Sequence, residues 1–249
     1  MTKIIVIGGT GLIGSKTIAI LTAHGHEAVA ASPNTGVNTI TGEGLADALH
    51  GADVVIDVSN SPSFADDDVM NFFVTSTSNL IAAARTAGVS HYVALSVVGT
   101  DRLPDSGYMR AKVAQEKLIV ASGLPYSLVH ATQFFEFFTG IAATSTVDGV
   151  VRLPHAPVQP IAADDVATAV ARTAANEPLN GTIEIAGPEK MGLDDFVRAG
   201  LAFRHDDRAV VTDPDAEYFG AHPDEHTLVP SDGATIFETR LDAWLPANS

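Results

Sequence analysis

Lys3-Ile4-Ile5-Val6-Ile7-Gly8-Gly9-Thr10-Gly11-Leu12-Ile13-Gly14 is the stretch that decides the fold. Five residues read as a buried strand. The glycines then interrupt, and Leu12 to His24 reads as a helix with Ile13, Ile18 and Leu21 among its apolar positions. The turn fits G-x-x-G-x-x-G through Gly8, Gly11 and Gly14, and G-x-G-x-x-G through Gly9, Gly11 and Gly14. That spacing is weak by itself and gains meaning from its place between a strand and a helix. Glycine lets the backbone approach a pyrophosphate, and the helix N-terminus offers free N–H groups and a positive dipole end. A plain strand-to-helix turn is the bland alternative; the context favours dinucleotide binding through Gly8, Gly9, Thr10, Gly11, Leu12, Ile13 and Gly14.

Outward from this turn, β-branched runs alternate with helical patterns. Ala28–Ala31, Val54–Val58, His91–Ser96 and Tyr126–His130 read as strands. Gly44–Leu49, Val69–Ala87 and Tyr108–Ser122 read as helices, the second entered through Asp66-Asp67-Asp68 as the helix dipole favours. Such alternation predicts an α/β fold: a Rossmann-like, doubly wound parallel sheet with helices on both faces. Beyond residue 133 the pattern is less regular. Gln159–Ala162 and Thr182–Ala186 resemble strands, Asp164–Ala175 and Leu193–Ala202 helices, and Asp206 to Trp244 is rich in charge, Pro and Gly. The expected organisation is one compact body, with a nucleotide-binding domain over 1–133 and a smaller substrate-side region over 134–249.

Composition narrows the function. The chain has 249 residues with 14 Lys+Arg against 30 Asp+Glu, and its formal net charge of −16 disfavours nucleic acid and anionic membranes as partners. Without cysteine there is no disulfide scaffold, thiol nucleophile or iron–sulfur cluster. No apolar run reaches the ~18 residues of a membrane span, and the start reads as a strand rather than a secretory leader. A cytoplasmic location is the expectation. No metal site is expected: His222 and His226 share i,i+4 spacing, but Pro223 between them opposes a helix.

The adenosine ribose is normally read at the end of the second strand, here Ser32-Pro33-Asn34-Thr35. Ser32 and Asn34 are the candidates there, with Ser59 and Asn60 after the third strand. No Lys or Arg stands between Lys16 and Arg85. A 2′-phosphate would meet only neutral donors, which leans the cofactor expectation to NAD(H) over NADP(H) unless a basic residue arrives from elsewhere in the fold.

Tyr108 and Lys112 lie four apart on one helix face, and Ser96 ends the preceding strand. A neighbouring ammonium lowers a phenol's pKa and eases proton exchange with a substrate oxygen. Ser96, Tyr108 and Lys112 are therefore the catalytic candidates, with Lys112 also reaching the cofactor ribose. The alternative is a surface tyrosine and a Lys112–Glu116 pair. Four of the eleven phenylalanines fall in Gln133-Phe134-Phe135-Glu136-Phe137-Phe138. Gln133 with Phe134 or Phe138, and Phe64, are candidates for an aromatic substrate wall, with Tyr218-Phe219 a further pair; packing between the two regions is the alternative.

These motifs resemble a known family. Val6 to Gly14, Ser96 with Tyr108-x-x-x-Lys112, Leu124-Pro125-Tyr126 through Gln133-Phe134, Pro160 to Ala167 and Ile185-Ala186-Gly187-Pro188 together look like an atypical short-chain dehydrogenase/reductase of the NmrA-like NAD(P)-binding branch, over residues 1 to about 200. The resemblance implies a Rossmann-like domain, a nicotinamide cofactor and a Ser96–Tyr108–Lys112 triad. Two departures stand out. A basic residue common after the second strand is absent, and His130 stands where relatives often carry Arg. The implied activity is NAD(P)(H)-dependent oxidoreduction of a bulky apolar carbonyl, phenol or quinone. O₂-consuming hydroxylation of an aromatic on the same scaffold, and a non-catalytic redox-sensing regulator, are the competing readings.

Overall fold

The computed structural model describes residues 1–248. Its first half alternates β1 (Lys3–Ile7), α1 (Leu12–Ala23), β2 (Glu27–Ala31), α2 (Leu45–Leu49), β3 (Val54–Asp57), α3 (Asp66–Ala87), β4 (His91–Val97), α4 (Gly107–Ala121) and β5 (Tyr126–Ala131). The second half follows as α5 (Phe138–Thr144), β6 (Thr146–Val147), β7 (Val150–Leu153), β8 (Pro157–Val158), α6 (Ala163–Ala174), β9 (Gly181–Ala186), β10 (Met191–Gly192), α7 (Leu193–Phe203), β11 (Val210–Thr212), β12 (Thr235–Ile236) and α8 (Leu241–Ala247).

Seven strands form one parallel sheet in the order β2-β1-β3-β4-β5-β9-β12. The expected doubly wound α/β fold is present. The order reverses between β1 and β3, which opens a crevice at the carboxyl ends of those strands. The period of two in β1 divides its side chains between the faces. Ile4 and Val6 pack with α1 and α6, while Ile5 and Ile7 pack with α2, α3 and α4. Both faces are covered, which explains why the strands read as continuous apolar runs.

The second half does not stay apart from this sheet. β9 and β12 extend it past β5, and α6 lies beside α1 on one face. The Glu136 carboxylate accepts from the free Ala163 N–H at the start of α6, at 3.1 and 3.2 Å. The remaining elements close a second core of Phe135, Phe138, Leu153, Phe196, Leu201 and Trp244 between α5, α7, α8 and β7.

The structure shifts one expected strand. Pairing falls on Pro157–Val158 with Met191–Gly192, not on Gln159–Ala162. Pro160 has no N–H to give a ladder, and Ile161 makes only an isolated bridge to Phe134. Among the described residues no helix is long and apolar enough to cross a membrane.

Candidate active site

The glycine turn is built by close approach. A Cβ on Gly9 would lie 2.7 Å from Ala30 Cα, and one on Gly14 only 2.3 Å from the Gly8 carbonyl oxygen. Any side chain at either place would push β1, β2 and α1 apart. Gly11 caps α1 without a side-chain hydrogen bond, and the first turn holds no acidic residue. The N–H groups and positive end of α1 are thus left for an anion. Leu12 points outward and Ile13 into the core, so what they offer a ligand is backbone. Thr10 Oγ1 donates to Ser32 Oγ at 3.1 Å across the turn. Ser32 is buried and starts the single turn Pro33–Thr35, on which Asn34 is exposed. Among the described residues no cation reaches this loop through a hydrogen bond or ion pair; the nearest basic residue in sequence, Lys16, is paired with Asp164 at 2.7 Å.

Asp57 ends β3 as an almost completely buried carboxylate, a residue the sequence reading passed over. Its oxygens accept from the Ser59 N–H (3.1 Å), the Ser59 hydroxyl (2.6 Å), Tyr92 Oη (3.3 Å) and Gln115 Nε2 (3.1 Å). Gln115 Oε1 in turn accepts from Lys112 Nζ, which also donates to the Leu95 carbonyl at 2.9 Å. The Lys112 ammonium sits 4.4 Å from the centre of the Phe73 ring. Burial pulls Lys112 down to about 8, against the opposing charges of Asp57 and Glu116. The signal in the sequence was an acid closing the apolar run Val54-Val55-Ile56. Asn60, by contrast, is exposed and accepts from the Ser61 N–H.

Tyr108 stands in a box of rings. Phe64, Phe73 and Phe219 lie 5.7, 5.9 and 5.8 Å from it, centre to centre. Burial pushes its phenol well above the ordinary tyrosine range. The expected Tyr–Lys partnership is not what the structure shows: Lys112 is committed to Leu95, Gln115 and Phe73, and Phe73 contacts both side chains.

The Ser96 hydroxyl is also engaged elsewhere. Strand alternation puts it on the α4 side, where its hydroxyl donates to Glu116. His130, beside Ser96 in the sheet register, brings Nε2 to 3.1 Å from the same carboxylate. Burial raises the Glu116 carboxyl, but His130 and the Ser96 hydroxyl outweigh this and hold it below its usual value. This gives His130 a partner that the sequence reading left unassigned. The group borders a groove of about 730 Å³ between α4 and β9, whose walls include Arg102 and Glu184.

The aromatic wall is drawn from other residues than the phenylalanine run. Phe138 is a core residue, 2% exposed and edge-on to Phe196; it does not border the Tyr108 box. Phe134 stacks on Phe137 at 4.9 Å and packs on the α1–α6 core. Phe64 lies against Tyr108. Tyr218 and Phe219 complete the box from a distant loop. Gln133 is buried beside the Tyr218 hydroxyl and leaves Oε1 without a partner.

Residues 8–177 match the model of a family described as NAD(P)H-binding. Among curated proteins, the chain is 29% identical over 240 residues to the chloroplastic divinyl chlorophyllide a 8-vinyl-reductase of Cucumis sativus, covering 82% of this chain and 57% of that protein. It is 24% identical over 160 residues to a photosystem II assembly factor of Synechocystis, covering 59% and 49%. The chain thus spans about half the length of the curated relatives it matches. Among solved structures, a dTDP-4-dehydrorhamnose reductase of Clostridium acetobutylicum superposes with a TM-score of 0.75 at 16% identity, over 98% of both chains. An NADPH-dependent quinone oxidoreductase of Escherichia coli gives 0.68 at 17%, also over 98% of both. At such identities the likeness is one of fold.

Proposed function

Because the chain belongs to the NAD(P)H-binding family, we propose that it is an NAD(P)(H)-dependent oxidoreductase of the atypical short-chain, NmrA-like type. Its substrate is a bulky apolar carbonyl, phenol or quinone. The observation that carries this reading is the ring box around Tyr108, joined to the glycine turn by unbroken contacts. A Cβ on Gly8 would lie 3.0 Å from Ser59, which bonds Asp57; Gln115 then links Asp57 to Lys112, and Lys112 and Tyr108 share Phe73.

The residues present fit a dinucleotide, since side chains at Gly9 and Gly14 are excluded and the start of α1 is free of any acidic competitor. Backbone from Gly8 to Gly14 would hold the pyrophosphate. Ser32 and Asn34 would meet the adenosine ribose, and Ser59, Asn60 and Lys112 the nicotinamide side. When bound, the nicotinamide supplies a hydride donor or acceptor. Tyr108 exchanges a proton with the substrate oxygen, and Phe64 and Phe219 exclude water around it. Residues 1–133 carry the coenzyme side and, through Phe64, Tyr108 and Gln133, part of the substrate wall, while 134–249 supply the rest of the substrate side. NAD(H) is preferred to NADP(H), because the Ser32–Thr35 loop carries no cation and the net charge of −16 opposes a further phosphate. The setting is the cytoplasm and the partners are small molecules.

Ser96 and Lys112 act on the substrate in this scheme only if Glu116 and Gln115 release them. Their present commitment favours a second reading, a module that senses the coenzyme without turning it over. One experiment separates the two. NADH and NADPH are titrated calorimetrically, then consumption is followed across a panel of quinones and aryl ketones with an oxygen electrode in line. Turnover with tighter NADH binding supports the oxidoreductase. Binding without turnover on any acceptor replaces it with the sensor, and tighter NADPH binding overturns the coenzyme preference.

A further inference from the structure

We infer that a flat aromatic ring carrying a hydroxyl or N–H donor binds beneath the Phe219 turn in place of one of its ring contacts, and that Gln133 is the acceptor that selects it. The inference rests on the proposed function only for the position of the site, and deepens it by naming what the ring must carry.

Two independent features converge there. The first is the turn itself. Tyr218 and Ala221 exchange backbone hydrogen bonds at 2.8 and 3.2 Å, which leaves Phe219 and Gly220 as a two-residue loop. Both have positive φ, +50° for Phe219 and +75° for Gly220. Asn-Gly is the usual pair for such a loop, and a bulky aromatic in the left-handed region is strained. Strain of this sort persists where surrounding contacts hold it, and it clusters at ligand clamps. Here the contacts are rings: Phe219 lies 5.8 Å from Phe64, 5.8 Å from Tyr108 and 4.8 Å from Tyr218, yet is still 39% exposed. The loop is anchored on either side of this tip. Asp213 N–H donates to the Leu153 carbonyl at 2.9 Å, and Arg102 donates to the carbonyls of His226 and Val229. A flat ring entering beneath the tip would exchange one stacking partner of Phe219 for another.

The second feature is Gln133. It is 6% exposed, its carbonyl receives the Ile161 N–H at 2.9 Å, and its side chain lies beside the Tyr218 hydroxyl. Oε1 alone has no donor. A buried amide oxygen without a partner is costly, and native proteins rarely leave one so. Rings bound by stacking alone are poorly told apart; a site built to receive a hydroxyl rejects the analogue lacking it far more strongly.

The test uses 2-naphthol and 2-methoxynaphthalene, one ring with a donor and the same ring without, titrated calorimetrically into the full chain with and without NADH. The expected result is 2-naphthol tighter by about tenfold or more. In Gln133→Leu the two affinities converge, and in Phe219→Ala both weaken together. Equal affinities in the unaltered protein, no binding of either ring, or a preference that survives Gln133→Leu would each overturn the inference. If Gln133→Leu does not fold, the pair of ligands on the unaltered protein still decides. Lack of turnover on every quinone would remove the oxidoreductase reading while leaving the naphthol preference as measured.

Discussion

The glycine turn and the Tyr108 box are built in opposite ways. The turn is backbone within a dozen residues, and its shape follows from what glycine lacks. The box is assembled from side chains at 64, 73, 108 and 219, carried by two helices and two loops. The first is specified locally and excludes side chains at Gly9 and Gly14. The second depends on the whole fold and can re-pack. Recognition of a common coenzyme fits the rigid construction, and recognition of a particular substrate fits the adaptable one.

The largest expected effect would test the rigid half. Gly14→Val places carbon 2.3 Å from the Gly8 oxygen, so coenzyme affinity measured by calorimetry should fall by at least about 100-fold. An affinity within threefold would mean that the turn is not the pyrophosphate site. Next comes the buried network between the two. Asp57→Ala removes the acceptor of four hydrogen bonds and leaves the Lys112 charge without its carboxylate. Denaturant unfolding should show a loss of about 3 kcal/mol.

Tyr108→Phe sharpens the adaptable half, because it keeps the ring and removes the hydroxyl. Turnover of a quinone should drop about 10- to 100-fold with stability nearly unchanged. Unaltered turnover would reduce Tyr108 to a wall of the box. The smallest effect concerns Lys112. Its folded pKa of about 8 lies below the ordinary lysine value of 10.5, so between those limits the unfolded chain binds more protons. Stability from this group therefore rises with pH above about 8, by roughly 1 kcal/mol per pH unit. From pH 8 to 9.5 the denaturant midpoint of the wild type should rise relative to that of Lys112→Met. A flat difference would show that the ammonium is not desolvated.

The sequence made the local half plain and the distributed half only partly so. β1, the glycine turn and α1 follow from periodicity and glycine spacing over residues 3–23, whereas nothing in the sequence said that Phe64 would lie against Tyr108. Alternation with Tyr92 and Ala94 sends Ser96 to the side of α4, the helix of Tyr108 and Lys112, but its hydroxyl is taken by Glu116, a partner that strand position alone does not reveal. The run from Phe134 to Phe138 promised a pocket wall by density alone. Phe138 instead fills the second core, which needs large apolar volume as much as any pocket does. Phe219 could be noticed but not placed, since its ring contacts span more than a hundred residues of chain. His130 found its role only when β4 and β5 were paired in register.

The return of the chain to its first sheet also has a consequence for synthesis. When residue 133 leaves the ribosome, β5 is still an open edge, and the flank of β1 and β3 that α6 will cover is bare. An unpaired parallel edge beside uncovered Val and Ile invites wrong partners. The nascent polypeptide must stay in that state until α6 and β9, some fifty residues later, have emerged.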